Sequence, residues 1–332
     1  MKLFLFLCLF LPLAATEHHP HLSYAQQTLH ILSGYEIKDA VPVDQIIFLH
    51  IPKTAGTNLT NIANAVSRMT GQFHYQRLPV PRRIDRSPNL ITSGWMGGLQ
   101  PLENNPNLLS KIPHRFFLAG HFPYGLHLYF SKPSKYITLI RHPLAREFSD
   151  ANFAYQRGYI QKERFASYLL EEMIDNPQVR LIAGKESMTG PCTQETLDKA
   201  KENIERDFLL AAPIEDVDDF IEILASIQGW GSLAYAPMQI TREKAAETPS
   251  PLLSDALIEK HKWDLQFYEW IQTRWYEWKK QAIFAHKSPD ARILTLMPDF
   301  LTNRQTVFLS LEEINSYNQS HSASEFIELN QN

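Results

Sequence analysis

The chain has 332 residues, 44% of them hydrophobic, enough to bury a substantial core, and it reads as one large domain rather than two modest ones. With 32 Lys and Arg against 36 Asp and Glu, the formal charge of −4 lacks the basic footprint of a nucleic-acid binder. Its two cysteines, Cys8 and Cys192, rule out a cysteine metal cluster and leave a chain that has lost Cys8 with no internal disulfide.

Met1-Lys2, the apolar run Leu3 to Leu13 and the small residues Ala14-Ala15-Thr16 have the form of a secretory signal peptide, too short to span a bilayer comfortably. Residues 1–16 are therefore expected to direct the chain into the secretory pathway, to a Golgi lumen or to the outside. Membrane contact is expected only if this segment stays uncleaved. Glu17 to Val43 lacks sustained periodicity and reads as a lead-in segment. His18, His19 and His21 in it read as solvated linker, so no metal is expected there.

Ile46 to Ile51 read as a buried strand, and from Thr57 to Arg68 the apolar residues Leu59, Ile62, Ala63 and Val66 fall on one helical face. The intervening turn, Pro52-Lys53-Thr54-Ala55-Gly56-Thr57-Asn58, thus joins a strand to a helix N-terminus, where unpaired N–H groups and the helix dipole attract an anion. Gly56 permits close backbone approach, Thr54 and Thr57 can add hydroxyl donors, and Lys53 supplies a point charge. A nucleotide-triphosphate loop, GxxxxGK[ST], carries its Lys after the glycine, whereas Lys53 precedes Gly56.

Phe73 to Leu108 is rich in Pro, Gly and Arg and reads mostly as loop. His74, Arg77, Arg82, Arg83 and Arg86 are candidate contacts to an anionic acceptor, with Trp95 an aromatic face for a sugar ring. Phe116 to Gly120 reads as a second buried strand, and His121, placed at its end, can face a cleft and remove a proton from a hydroxyl. Tyr136 to Ile140 reads as a third strand, followed by Arg141, by Pro143 in a first helical turn, and by Ser149 about two turns up that helix. Arg141 and Ser149 could hold one phosphate between them.

The PKTAGT turn resembles the 5′-phosphosulfate loop of sulfotransferases that use 3′-phosphoadenosine 5′-phosphosulfate (PAPS), and the Arg141/Ser149 pair resembles their 3′-phosphate motif. The order and spacing of the motifs resemble those of the carbohydrate sulfotransferases of the uronyl 2-O kind, sulfotransferase family 2. The resemblance runs from Ile46 to about Lys280. It implies an α/β, P-loop-like three-layer fold with a central, mostly parallel sheet flanked by helices. It also implies PAPS as cofactor, PAP as product, and no metal. On this reading Lys53, Thr54, Ala55, Gly56, Thr57, Asn58, Arg141 and Ser149 bind the nucleotide, and His121 is the base with Lys53 assisting. The family's HGH loop is here Ala119-Gly120-His121, so only its second His is retained, and His142 stands where the family more often has Asp.

Asn176 to Gly184 resembles the family segment before a substrate-side loop, which makes Arg180 and Lys185 further acceptor candidates. Phe208 to Ala212 reads as a strand, and Glu215 to Trp230 as an amphipathic helix. Its carboxylates Glu215, Asp216, Asp218 and Asp219 suit a first helical turn better than a catalytic cluster. Leu252 to Lys280 reads as a long helical stretch broken once. The expected organisation is therefore a signal peptide over 1–16, a lead-in over 17–43, the sulfotransferase domain over 44–281 and an extension over 282–332. In that extension Gln305 to Leu311 could add an edge strand. Of two glycosylation sequons, the one at Asn58 lies in the phosphate loop, which leaves Asn318.

The expected reaction is sulfuryl transfer to a hydroxyl on a carbohydrate, an acidic polysaccharide being favoured by the basic side chains. The competing readings are a catalytically silent binder of acidic or sulfated glycans and a kinase-like P-loop enzyme. The latter lacks a Walker Lys with its magnesium-binding Ser/Thr. A Ser/His/Asp hydrolase lacks its GxSxG elbow.

Overall fold

The structure is a computed structural model that describes residues 28–78, 112–236, 251–297 and 305–328. At its centre β3 (Gln45–Leu49), β4 (His74–Arg77), β5 (Phe116–Gly120), β6 (Lys135–Ile140) and β7 (Phe208–Pro213) form an all-parallel sheet in the order β4-β5-β3-β6-β7. Every residue of β3 and β5 is buried, as expected of parallel strands covered on both faces.

Side-chain alternation divides the core into two layers. Ile46, Phe48, Phe117 and Ile137 point to one face, covered by Leu59, Ile62 and Val66 of α1 (Gly56–Thr70). Ile47, Leu49, Leu118 and Tyr136 point to the other, covered by α3 (Pro177–Ala183), α4 (Gln194–Asp207) and α7 (Lys262–Ala282) through Val179, Leu197 and Phe267. Burying each such side chain is worth roughly 1.5–3 kcal/mol. Phe220 and Leu224 of α5 (Val217–Gln228) join the first layer. The helix α2 (Pro143–Gln156) packs through Phe148 and Ala151 in a third cluster with Leu257 of α6 (Pro251–Lys260).

The chain leaves β3 through a helix on one face and returns from β6 to β7 through helices on the other. The crevice between β3 and β6 is therefore the point where the winding reverses, the position at which open α/β sheets bind ligands.

The flanking segments are built into the domain. In the lead-in, β1 (His30–Leu32) pairs with β8 (Leu233–Tyr235), and β2 (Tyr35–Ile37) pairs with β9 (Ile283–His286). From the C-terminal side β10 (Ile293–Met297) joins β8 and takes β11 (Gln305–Leu309) as an edge strand. Leu32, Tyr35, Leu294 and Leu296 share one core with Phe48. Strands of three residues carry too little alternation to register as a pattern.

The α5 carboxylates serve as clasps for these strands. Asp218 accepts from His30 Nδ1 at 2.7 Å and from the Tyr235 hydroxyl, Asp219 accepts from Tyr35 at 2.7 Å, and Lys279 bridges Asp216 and Asp219 at 2.8 and 2.7 Å. The Asn318 amide on α8 (Leu311–Glu328) both accepts from and donates to the Leu29 backbone, at 2.8 and 3.1 Å, so a glycan there would break a structural contact. Among the described residues no helix is long and apolar enough to cross a membrane. Residues 1–16 and His18, His19 and His21 lie outside the described residues.

Candidate functional site

Between β3 and α1 the backbone makes a compact turn with Lys53 and Ala55 in the left-handed region, at φ 71 and 55°. Ala55 is the N-cap of α1 and offers no side-chain acceptor, and no acidic residue occupies the first turn. The positive end of a 15-residue helix is thus left without an internal counter-charge. The Thr54 hydroxyl donates to the Ile51 carbonyl at 2.8 Å and is fully buried, so it braces the turn instead of facing a ligand. The Asn58 amide donates to the Ala55 carbonyl at 3.1 Å and its side chain points inward. Gly56 is required for a reason other than ligand approach, since a Cβ there would collide with the His50 ring.

His121 leaves the end of β5, with its ring 4.4 Å from that of His50. Its Nδ1 lies 2.6 Å from the His50 carbonyl oxygen. A carbonyl only accepts, so Nδ1 carries the proton and Nε2 holds the free lone pair. Burial pushes the imidazole below its ordinary value of 6.5 and Arg77 adds to the effect, against the raising influence of the His50 carbonyl. A neutral ring with an oriented lone pair is the state a general base needs near neutral pH.

Arg141, just past β6, donates its guanidinium to the Lys53 carbonyl at 3.1 Å, and its backbone is bracketed by the Gln178 amide at 3.0 and 2.8 Å. One turn into α2, the fully buried Arg146 pairs with Glu147, contacts Asp150 at 3.2 Å and reaches the Pro52 carbonyl at 3.4 Å. Arg141 of the second loop and Arg146 of the helix that follows it thus hold consecutive carbonyls of the first loop, which fixes the spacing of the loops. Lys53 lies over the Phe153 ring at 4.4 Å. Burial lowers its pKa, as do the neighbouring arginines, while Asp150 raises it.

Behind this lies a buried polar set, in which Glu147 Oε2 and His261 Nε2 have no hydrogen-bond partner among the described residues. The Asn176 amide donates to His261 Nδ1 at 3.2 Å, which puts the His261 proton on Nε2, 4.0 Å from Glu147 Oε2. Asp264 accepts from the amides of Gln178 and Val179 at 3.2 and 2.8 Å and so caps α3. Burial raises Asp264 to about 7 and lowers His261 to about 3.

These elements enclose a cavity of about 440 Å³ lined by His50, Pro52, Lys53, Ala55, Gly56, Thr57, Arg77, His121, Arg141, Ser149, Asp150, Phe153, Arg157 and Ile214. Of the residues expected to bind or act, Lys53, Ala55, Gly56, Thr57, Arg77, His121, Arg141 and Ser149 meet there. Thr54 and Asn58 belong to the same turn but face the interior.

Three acceptor candidates fall elsewhere. His74 opens β4, at the opposite end of that strand from Arg77, and parallel strands present only one end to the site. Arg180 is 2% exposed and its guanidinium is committed to Asp175 at 2.7 and 3.0 Å and to the carbonyls of Ser187 and Gly190. Lys185 is exposed and does not line the cavity. Arg82, Arg83, Arg86 and Trp95 lie outside the described residues.

The cavity also contains residues that sequence reasoning passed over. Asp150, Phe153 and Arg157 follow one another at helical steps of three or four, so the face of α2 that carries Ser149 was readable from its period. Ile214 comes from the end of β7, for which no sequence signal exists. Neither a protein family nor a curated protein matches this chain.

Proposed function

We propose that the chain is a sulfotransferase that moves a sulfuryl group from PAPS to a hydroxyl on a carbohydrate. The observation that carries this reading is the cavity itself, in which an uncapped helix N-terminus with Lys53, a second cationic loop with Arg141 and Ser149, and a lone-pair-bearing His121 converge. Its volume lies within the range of small-molecule sites, about 300–1,000 Å³. Four cationic side chains, Lys53, Arg77, Arg141 and Arg157, face one carboxylate, Asp150, whose pKa burial raises despite the nearby Arg146. That balance suits a donor with anionic groups at two ends.

In the proposed step the acceptor oxygen attacks sulfur while His121 Nε2 takes its proton. The S–O bond to the 5′-phosphate breaks, and PAP leaves with the electron pair. Lys53 and the N-terminus of α1 stabilise charge gathering on the leaving phosphate, a preorganised role worth about 10²–10³-fold per donor. Arg141 and Ser149 hold the 3′-phosphate and so separate PAPS from ATP. Arg77, on the far side of His121, suits an acidic sugar acceptor. The P-loop-like form of the fold and a secretory lumen as the source of PAPS belong to the same proposal.

The fixed Nδ1 proton of His121 favours an enzyme over a glycan-binding protein, which needs no oriented base. Thermal unfolding tests the reading. PAP at a hundredfold excess over its dissociation constant should stabilise the chain by about 2.7 kcal/mol, and ATP with magnesium should do far less. Equal stabilisation by both would favour the kinase-like alternative, and stabilisation by neither the glycan binder.

A further inference from the structure

The reading above gives a task to one imidazole and leaves a second in the same cavity without one. His50 ends β3, is 7% exposed and lines the cavity. Its ring stacks on Phe48, with centroids 5.1 Å apart and planes at 11°, and lies 4.4 Å from the His121 ring. Among the described residues neither of its ring nitrogens has a hydrogen-bond partner. Neither nitrogen is sealed from the cavity, so the ring's N–H stays open to a group that enters it.

The turn is shaped to keep the ring there. Gly56, the first residue of α1, stands directly against the His50 Cδ2–Nε2 edge, and any Cβ at that position would displace the ring. His50 therefore sits where the N–H groups and dipole of α1 collect negative charge. Burial foremost, then the charges of Arg77 and Lys53, drives its pKa well below 6.5 and keeps it neutral. A neutral imidazole has one N–H to donate, and at helix N-termini such rings act on developing oxyanions.

Resting on the sulfuryl-transfer reading, we propose that His50 is a further catalytic residue that donates a hydrogen bond to an oxygen of the transferring sulfuryl group beside His121. Its contact with the base assigns it to the reacting end of the donor, while Arg141 and Ser149 hold the other end. A neutral donor here strengthens as charge shifts in the transition state without adding a fifth positive charge to trap the anionic product.

PAPS and PAP differ only by the sulfuryl group, so comparing them isolates this contact. In ¹⁵N-histidine spectra of the full chain, PAPS should shift the His50 imidazole N–H resonance and PAP should leave it near its free position. Equal shifts with both would move the contact to the 5′-phosphate, and no shift with either, while both bind, would make the ring a packing residue; each overturns the proposal. In calorimetry His50→Phe should weaken PAPS by about tenfold and PAP by less than about twofold, while His50→Gln, which keeps an N–H, should restore most of the loss. Should neither nucleotide bind the native chain, the sulfuryl-transfer reading itself fails, a result distinct from binding without a His50 response.

Discussion

His121 owes its chemical state to two opposed neighbours, the His50 carbonyl that fixes its proton on Nδ1 and the burial that keeps the ring neutral. Because its pKa is lowered, the base form persists as pH falls through 6.5, so the acid limb of the kcat/KM profile should lie below the ordinary imidazole value. A limb at or above 6.5 would assign the base elsewhere. His121→Ala should leave PAP affinity nearly unchanged and remove turnover by about 10²–10⁴-fold, measured as PAP released from PAPS with an acceptor. Arg141→Ala should weaken PAP far more than adenosine 5′-phosphate, as titration calorimetry would show. The placement of Lys53, Arg141 and His121 around one cavity was readable from residue types at strand ends. Arg180 was not readable, because nothing in its local sequence announces that Asp175 and two carbonyls consume its donors.

At the scale of elements, the two loops act as one unit because Arg141 and Arg146 donate to successive carbonyls of the first loop. Arg146→Ala would leave Glu147 buried without its partner and is expected to cost about 3–5 kcal/mol in urea unfolding. Gly56→Ala should cost about 1–3 kcal/mol through forced repacking of His50, whereas a glycine needed only for ligand approach would tolerate the change in stability. The strand–turn–helix units were legible from their apolar periods, including the break between α6 and α7, which falls at His261. The short strands β1, β2 and β9 were not, since their pairing is decided by partners more than 180 residues away. The α5 acids were readable as a first helical turn, but their bonds to His30, Tyr35 and Lys279 come from the tertiary structure.

Across the whole molecule, the site stands on a buried ionic set that ties α2 to α3 and α7. Folding raises Asp264 from 3.8 to about 7, so the native state holds a proton that the unfolded chain releases between those values. Its contribution to stability is fully present below 3.8 and is lost as pH rises to about 7. The destabilisation caused by Asp264→Asn should therefore shrink over that interval, and a cost that grows with pH would show the carboxylate to be favoured on folding.

The parallel sheet with its reversal between β3 and β6 gathers the loops so that a single nucleotide could touch both. A crystal structure of the full chain with PAP bound tests that most directly. The account predicts the 5′-phosphate on the N-terminus of α1 beside Lys53 and the 3′-phosphate on Arg141 and Ser149, with His121 Nε2 open toward the vacated sulfuryl position. PAP lodged outside this cavity, or within it with its 3′-phosphate away from Arg141 and Ser149, would contradict it.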